Sequence, residues 1–315
     1  MKLVRYEHHG FALLGVISHD KVQSLPQGLS ALDVLNMPLA ERNLLEAQAG
    51  RHHRAPLGSV RLLPPIEPRA MRDFVAFERH IAGMKKNEPG DGSVPAAWYE
   101  APVHLYMNPW SAVGAHDDVP APPETQALDF EMEVAAIIGR TARNVPVEEA
   151  ESYVAGYCIM NDWSARDIQG REMTVGLGPA KGKDFATTLG PWITTADELE
   201  PYREGDRLAL EMVVSVNGVE VGRDNAREMS WSWGEIVAHA ARGATVGAGD
   251  VLASGTCSGG SLAEIWARTG SRTPPPLTPG DVVEMTVEGL GTISNRVVAS
   301  EPLPDPVRPR VRSHA

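Results

Sequence analysis

Cysteines are few in this chain, and long apolar runs are missing. Of its 315 residues only two are cysteine, Cys158 and Cys257, and they do not form a C-x-x-C pair. A disulfide framework and a zinc knuckle therefore lack support, and we expect two reduced thiols. The first residues lack the apolar core of a signal peptide, and no uncharged run is long enough to span a bilayer. These absences predict a cytoplasmic protein without a membrane partner.

Basic charge is also scarce. The formal net charge is -12, and the basic cluster that stands out is the short tail at 308–312. We therefore expect no nucleic-acid partner, because little positive charge is available for a phosphate backbone. The loop around Lys183 superficially suggests a phosphate loop, but that motif would need glycine at Leu177 and serine or threonine at Asp184. A regular βαβ alternation of the Rossmann type and internal repeats are missing too.

The pattern that is present indicates an α+β chain that is mostly β. Its length suits one large domain with a smaller attachment, or two domains of ordinary size. Turn signals at Asn217-Gly218 and at 288–291 predict hairpins. The predicted strands cover 11–17, 103–107, 130–138, 209–216, 251–254, 282–287 and 292–298. The predicted helices cover 30–48, starting at a Ser30 cap, 162–169 and 233–241.

An acidic run is the most informative stretch. Asp129, Glu131 and Glu133 alternate with apolar residues, so a strand would place all three carboxylates on one face. Neighbouring carboxylates repel each other, and a cation, a proton or water must relieve that repulsion. One interpretation is a solvated outer strand. The other is a site for a hard divalent ion, because oxygen ligands suit magnesium, manganese or calcium.

Three further stretches carry polar groups that could meet such an ion. If a helix starts near Asp162, then Asp162, Arg166 and Gln169 lie at i, i+4 and i+7 on one face. The alternative is a capping acid with an ordinary ion pair. Lys183 could equally be a solvated loop lysine. The run at 254–261 is rich in small residues that allow backbone N–H groups to approach a ligand, although a long hairpin loop would look the same.

Taken in order, these stretches resemble the fumarylacetoacetate hydrolase family over about residues 71–298. The motifs are D-x-E-x-E at 129–133, N-D-W-S-A-R-D-I-Q at 161–169, G-K-x-F-x-T at 182–187 and S-G-T at 254–256. The resemblance implies a mixed β-sandwich roll as catalytic domain over 69–315, a small N-terminal domain over 1–68, and a homodimer. It also implies a Mg²⁺, Mn²⁺ or Ca²⁺ cofactor held by Glu131, Glu133 and Asp162, with Asp73 as a possible further ligand.

The same resemblance implies roles for residues around the ion. His80 corresponds to a water-activating histidine, Glu264 to its partner, and Lys183 to a group that meets developing negative charge. The implied substrate ligands are Arg166, Gln169, Thr256 and Gly255. Two departures from the family pattern, Val75 in place of a substrate-contacting tyrosine and Cys257 after the threonine, argue against fumarylacetoacetate itself as the substrate.

These roles predict a hydrolase that cleaves a carbon–carbon bond in a diketo acid or acylpyruvate-like small molecule, in aromatic catabolism. A decarboxylase, tautomerase, isomerase or dehydratase of 2-oxo acids is the alternative, because all would use the same ion and an enolate. A binding protein without chemistry would not need a positioned base, so the full set of Glu131, Glu133, Asp162, Lys183 and His80 argues against it. The segment 81–98, rich in glycine, proline and charge, is a predicted lid.

Overall fold

The structure is a computed structural model that describes residues 1–51, 53–86, 92–305 and 307. Residues 87–91 of the predicted lid and the basic tail at 308–312 lie outside the described residues. Within the described part of the chain, no helix has both the length and the apolar character that a membrane span needs. Cys158 and Cys257 are free and buried.

Strands dominate the chain. In chain order they are β1 Lys2–His8, β2 Phe11–Ser18, β3 Lys21–Ser24, β4 Arg54–Pro56, β5 Arg61–Leu63, β6 Met71–Phe74, β7 His104–Met107, β8 Ala112–Val113, β9 Val119–Ala121, β10 Leu128–Asp129, β11 Met132–Ile138, β12 Val154–Asp162, β13 Ser164–Ala165, β14 Thr187–Thr195, β15 Arg203–Glu204, β16 Arg207–Leu208, β17 Glu211–Val216, β18 Val219–Asn225, β19 Val251–Ala253, β20 Val282–Val287 and β21 Gly291–Ala299.

Helices are fewer than strands in the described residues. The α-helices are α1 Ala31–Leu35, α2 Leu39–Ala47, α3 Glu78–Lys85, α4 Val147–Ala150, α5 Arg166–Met173, α6 Trp233–Ala240 and α7 Leu262–Thr269. Short 3-10 helices lie at Leu57–Ser59, Ala96–Tyr99, Pro109–Ser111, Glu151–Tyr153, Ala196–Tyr202 and Ala226–Glu228. The prediction of a mostly β chain is confirmed.

A twelve-stranded sheet forms the centre of the molecule. Its main path runs β4-β3-β2-β1-β14-β12-β11-β19-β6-β7, with β5 on β1 and β8 on β14. The central strand β11 is buried on both faces: Val134 and Ala136 belong to one core, whereas Ala135 and Ile137 belong to another. A strand covered on both sides has a nearly continuous apolar sequence, and this one does from residue 134 to residue 138.

A five-stranded sheet of order β18-β17-β20-β21-β9 covers one side of the large sheet. Met212 of β17 and Ile293 of β21 share a core with Val134 and Ile159 of the large sheet. The hairpin predicted at Asn217-Gly218 joins β17 to β18, and both of its turn residues have positive φ, 52° and 78°. The hairpin predicted near residue 289 joins β20 to β21. Both turn predictions are confirmed.

The first strands extend the same large sheet. β1 runs antiparallel to β14, with Leu3 opposite Ile193. Leu3 and Val34 pack in the second core with Ile137 of β11 and Ile193. The division of the chain at residue 68 stays a prediction.

The single helix predicted over 30–48 is wrong. The chain forms α1 and α2 instead, with Pro38 at the start of the second helix. Proline lacks a backbone N–H and clashes with the preceding turn, so one continuous helix cannot pass through it. The predicted Ser30 cap is confirmed, because its Oγ accepts the Asp33 N–H at 3.2 Å.

Two predictions about the acidic stretches are also wrong. Asp162 ends strand β12 instead of beginning a helix, and α5 starts four residues later at Arg166. The acidic run is not one strand, because β10 ends at Asp129 and β11 begins at Met132. The side chains of Glu131 and Glu133 still meet, whereas Asp129 points to a different part of the molecule.

Candidate active site

Four carboxylates converge at the ends of neighbouring strands. Asp73 lies on β6, Glu133 on β11 and Asp162 at the end of β12, with Glu131 just before β11. One oxygen from each of the four lies within 4.8 Å of the others. All four side chains are buried, so the interpretation as a solvated acidic face is excluded. The structure therefore brings the three predicted ligands and the possible fourth into one cluster.

The cluster has oxygens that fit a cation. Asp73 Oδ1, Glu133 Oε2 and Asp162 Oδ1 are buried, and none accepts a hydrogen bond from the described residues. Burial raises the pKa of Asp73 to about 6, and burial together with neighbouring carboxylates raises the pKa of Glu133 and of Asp162 well above the usual range. A buried carboxylate oxygen without a partner is costly. The four residues could therefore hold a divalent metal ion, which would coordinate such oxygens.

Two cations border the cluster. Lys183 Nζ forms ion pairs with both Glu131 and Asp162. Arg166 Nη2 lies 2.8 Å from Glu131 Oε1. Burial opposes ionisation of Glu131, but Arg166 and Lys183 together hold its pKa below the usual range. Burial likewise disfavours charged Lys183, yet Asp162 and Glu131 raise the pKa of the lysine. Lys183 is therefore a buried cation and not a solvated loop lysine.

The loop before Lys183 is built around a carboxylate that the sequence did not reveal as important. Glu172 of α5 accepts the backbone N–H groups of Ala180 at 2.9 Å, Lys181 at 2.7 Å and Gly182 at 3.2 Å. Successive N–H groups of this kind form an anion-binding concavity. The backbone N–H groups of this loop bind an anion, as those of a phosphate loop do, but the anion is the protein's own glutamate. The glycine-rich, lysine-flanked sequence was the signal.

His80 and Glu264 form a buried pair. His80 Nδ1 lies 2.7 Å from Glu264 Oε2, with the histidine on α3 and the glutamate on α7. Glu264 also accepts the Gly259 N–H at 2.7 Å and pairs with Arg268. Gly83 of α3 faces Glu264 so closely that a Cβ there would overlap the carboxylate. Glycine at position 83 therefore leaves the space that the Glu264 side chain occupies beside α3.

The pair lies beside the carboxylate cluster. A positive charge on His80 would lower the pKa of both Asp73 and Glu131, so the imidazole is close enough to interact with these carboxylates. Thr256 Oγ1 also lies at the cluster, 3.5 Å from Glu133 Oε1. A buried histidine–glutamate pair, a buried ammonium and a carboxylate cluster thus share one site.

The remaining predicted residues border this site. Gly255 has φ of 79° and approaches the Phe74 carbonyl so closely that a Cβ would not fit. Gln169 is half-buried, and its Oε1 accepts Arg166 Nη1–H at 3.1 Å. Arg166 also contacts Asp129 and Glu131, so its guanidinium is engaged by protein groups on several sides.

The sequence can now be compared with known proteins. The family model described as the fumarylacetoacetate (FAA) hydrolase C-terminal domain matches residues 69–298. The chain belongs to the fumarylacetoacetate hydrolase family. A maleylpyruvate hydrolase of Aquipseudomonas alcaligenes is 29% identical over 310 residues, covering 93% of this chain and 98% of that protein.

Other members of the fumarylacetoacetate hydrolase family that are similar to this chain carry different names. The oxaloacetate tautomerase YisK of Bacillus subtilis is 29% identical over 242 residues, covering 76% of this chain and 74% of that protein. The solved structure of a fumarylacetoacetate hydrolase from psychrophilic Exiguobacterium antarcticum superposes with a TM-score of 0.73 at 29% identity, covering 95% of this chain and all of that one. Since a tautomerase and hydrolases are all similar to it, the family alone does not fix the reaction.

Proposed function

We propose that this protein is a divalent-metal-dependent hydrolase that cleaves a carbon–carbon bond in an acylpyruvate-like or diketo acid. The observation that carries the proposal is the buried His80–Glu264 pair at 2.7 Å beside the carboxylate cluster. The ion would be held by Asp73, Glu131, Glu133 and Asp162. When bound, a divalent ion would polarise the carbonyl of a 2-oxo or diketo acid and favour its enolate form. We propose Mg²⁺, with Mn²⁺ or Ca²⁺ as alternatives, and a homodimer.

The His80–Glu264 pair would generate the nucleophile, a hydroxide ion formed from water. The Glu264 carboxylate accepts the Nδ1 proton of His80, which leaves Nε2 to take a proton from water. Such a general base is worth about 10²- to 10⁴-fold in rate. The hydroxide adds to the substrate carbonyl carbon. The adjacent carbon–carbon bond then breaks, and its electron pair becomes the enolate of the second product.

Other residues would stabilise the charge that develops. The Lys183 ammonium would lie near the enolate oxygen, and a fixed cation in a buried site stabilises such charge without reorganisation. Protonated His80 would return its proton to the enolate carbon. We assign Gln169, Thr256 and the backbone at Gly255 to binding the substrate carboxylate. Arg166 would hold Glu131 and orient Gln169.

A tautomerase or isomerase is the second candidate. The similarity to an oxaloacetate tautomerase favours it, because the same site would need only to move a proton between carbon and oxygen. His80 would then remove a proton from substrate carbon instead of water. Decarboxylation and dehydration would also use an enolate at this site.

An absorbance screen with product identification separates these reactions. Acetylpyruvate, maleylpyruvate, a fumarylacetoacetate-like diketo acid and oxaloacetate are offered with Mg²⁺ or Mn²⁺, and products are identified by mass spectrometry. A hydrolase yields two shorter acids, a decarboxylase releases carbon dioxide, and a tautomerase changes absorbance without changing mass. Isomerisation or decarboxylation without hydrolysis would contradict the proposal.

His80→Ala tests the base directly. We expect it to retain Mn²⁺ affinity within about threefold and to lose about 10²- to 10⁴-fold in kcat for hydrolysis, as removal of a general base should. Glu131→Ala is the contrasting variant, since it should lose metal binding and activity together. Normal hydrolysis by His80→Ala would show that this pair does not activate the water.

A further inference from the structure

We propose that Asp129 is a positioning residue that fixes the N-terminus of α7 and thereby holds Glu264 against His80. This inference rests on the proposed function of the His80–Glu264 pair. Asp129 is the first acid of the D-x-E-x-E motif, but it takes no part in the carboxylate cluster described above. Its side chain lies instead under the first turn of α7.

Each carboxylate oxygen of Asp129 accepts two hydrogen bonds. The side chain is fully buried. Oδ1 accepts the N–H of Phe130 at 2.7 Å and of Leu262 at 2.8 Å, and Oδ2 accepts the N–H of Ala263 at 2.9 Å and the Nε–H of Arg166 at 2.8 Å. Four donors surround a group that only accepts, so an ionised carboxylate is the side chain that suits this position.

Two of these donors belong to the start of α7. Leu262 and Ala263 are its first two residues, and N–H groups at this end of a helix have no partner within the helix. A carboxylate there also interacts favourably with the partial positive charge of the helix end. The Ser261 hydroxyl accepts the next N–H, that of Glu264, at 3.2 Å. The first turn of α7 is therefore fixed by Asp129 and Ser261 together.

Glu264 is the third residue of this turn, so its backbone moves with the two N–H groups that Asp129 binds. Its carboxylate must reach His80 on a different helix, α3. A misplacement of about 1 Å in a catalytic arrangement can cost roughly 10²-fold in rate. Asp129 thus acts on the dyad through the helix and without touching it.

A second route leads from Asp129 to the carboxylate cluster. Arg166 Nη2 lies 2.8 Å from an oxygen of Asp129 and 2.8 Å from an oxygen of Glu131. If Asp129 acted mainly through Arg166, its loss would disturb metal binding and leave the dyad intact. The state of the His80–Glu264 hydrogen bond therefore reports on the route through α7, and metal affinity reports on the route through Arg166.

The first test is proton NMR of the metal-free, substrate-free protein. The downfield imidazole N–H proton of the His80–Glu264 hydrogen bond is assigned by its loss in His80→Gln. We expect Asp129→Asn to shift or abolish this resonance, because α7 loses its carboxylate anchor. Asp281→Asn is the matched control: Asp281 also accepts a backbone N–H, that of Thr278 at 2.7 Å, but it lies in the turn before β20. An unchanged resonance in folded Asp129→Asn overturns the proposal.

If Asp129→Asn fails to fold, Asp129→Glu serves instead. It keeps the charge next to Arg166 but moves the carboxylate by one methylene, so the resonance should again shift, and an unchanged resonance again overturns the proposal. Because this readout needs neither metal nor substrate, it stands even if no hydrolase activity is found.

The second test is a double-mutant cycle with acetylpyruvate and Mn²⁺. Asp129→Asn should lower kcat about 10- to 100-fold, with KM and Mn²⁺ affinity within about threefold. In a Glu264→Gln background the same substitution should lower kcat less than about threefold, because residues that act as a unit are not additive. Equal losses in both backgrounds, or a loss of Mn²⁺ affinity above about tenfold, would show that Asp129 acts by another route.

Discussion

Lys183 shows how one side chain changes the balance of a buried site. Its ammonium pairs with Glu131 and Asp162, and all three side chains are nearly inaccessible to solvent. Removal of one partner from a buried ion pair leaves the other charge uncompensated, which is far costlier than the loss of a surface pair. Position, and not residue type, therefore decides what a lysine in this loop contributes.

Lys183→Met should lower the free energy of unfolding of the metal-free protein by about 3 kcal/mol. Lys181→Met is its control, since Lys181 is exposed and pairs with Asp184 at 3.0 Å. Such a surface pair contributes at most about 1 kcal/mol. Urea unfolding in the presence of a chelator measures both. Equal losses in the two variants would mean that Lys183 does not neutralise the cluster.

Asp73 should make the stability of the metal-free protein depend on pH. Its pKa rises from the ordinary 3.8 to about 6 in the folded protein, mainly because it is buried. The folded state therefore binds this proton more tightly, and the resulting stabilisation is lost as pH rises through about 6. In metal-free protein, Asp73→Asn should gain stability over the natural protein by roughly 1–3 kcal/mol between pH 4 and pH 7.5.

Asp281 should make the stability change with pH in the opposite direction. Hydrogen bonds from Asn217 and Thr278 outweigh its burial and hold the pKa of Asp281 below the usual range. Its contribution is therefore present at neutral pH and lost in acid, so Asp281→Asn should lose stability at pH 7.5 relative to the natural protein. Urea midpoints at both pH values measure the two variants, and the same sign for both would contradict the assignment.

At the scale of elements, the approach of α3 to α7 depends on Gly83. Alanine stabilises the interior of a helix by about 1 kcal/mol relative to glycine. At position 83 the added Cβ would overlap the Glu264 carboxylate and the Arg268 guanidinium, so these side chains or the two helices must shift. The steric effect opposes the helix propensity at this position.

We expect Gly83→Ala to lower kcat by about tenfold or more and not to stabilise the protein, because His80 moves away from Glu264. Gly170→Ala on α5 is the matched control, since no atom lies within 4 Å of a Cβ there. That variant should gain about 0.5–1 kcal/mol in unfolding free energy. Kinetics and urea unfolding of both variants test this, and a Gly83→Ala protein with full activity would contradict the close contact.

The elements also show what local sequence can predict. The Asn217-Gly218 hairpin was predictable because positive φ at both turn residues is a local requirement. The helix predicted from Asp162 failed because spacing alone cannot distinguish a strand end from a helix start, and pairing of β12 with β11 and β14 decides it. The Asp129–Arg166 contact was missed because it depends on where a distant segment arrives. The Glu172 contacts were missed because they depend on how the loop after α5 folds back onto that helix.

At the scale of the whole molecule, the large sheet joins the first strands to those that carry the cluster. Leu3 of β1 is fully buried against residues of the central strands. The seven tryptophans all lie beyond residue 68. Tryptophan fluorescence therefore comes from the part of the chain after the predicted domain boundary, and one of its sources, Trp192, contacts Lys2 of β1.

Leu3→Ala should lower the unfolding free energy detected by tryptophan fluorescence by about 2–4 kcal/mol, because a buried leucine is lost from a shared core. Leu44→Ala is the control, as Leu44 is 61% exposed. Circular dichroism should show the same midpoint as fluorescence if the sheet unfolds as one unit. A fluorescence transition that Leu3→Ala does not shift would favour two independent domains at the predicted boundary.

The binding of Glu172 by the backbone N–H groups of residues 180–182 has a practical consequence for work in solution. A carboxylate held on the neighbouring helix competes with free anions at an effective concentration on the order of millimolar or higher. Phosphate, sulfate or citrate in a buffer must displace Glu172 from the three N–H groups before it can occupy this loop. Inhibition by such anions would therefore indicate binding to the proposed metal ion and not to this loop, and Glu172→Gln would be the variant in which that interpretation no longer holds.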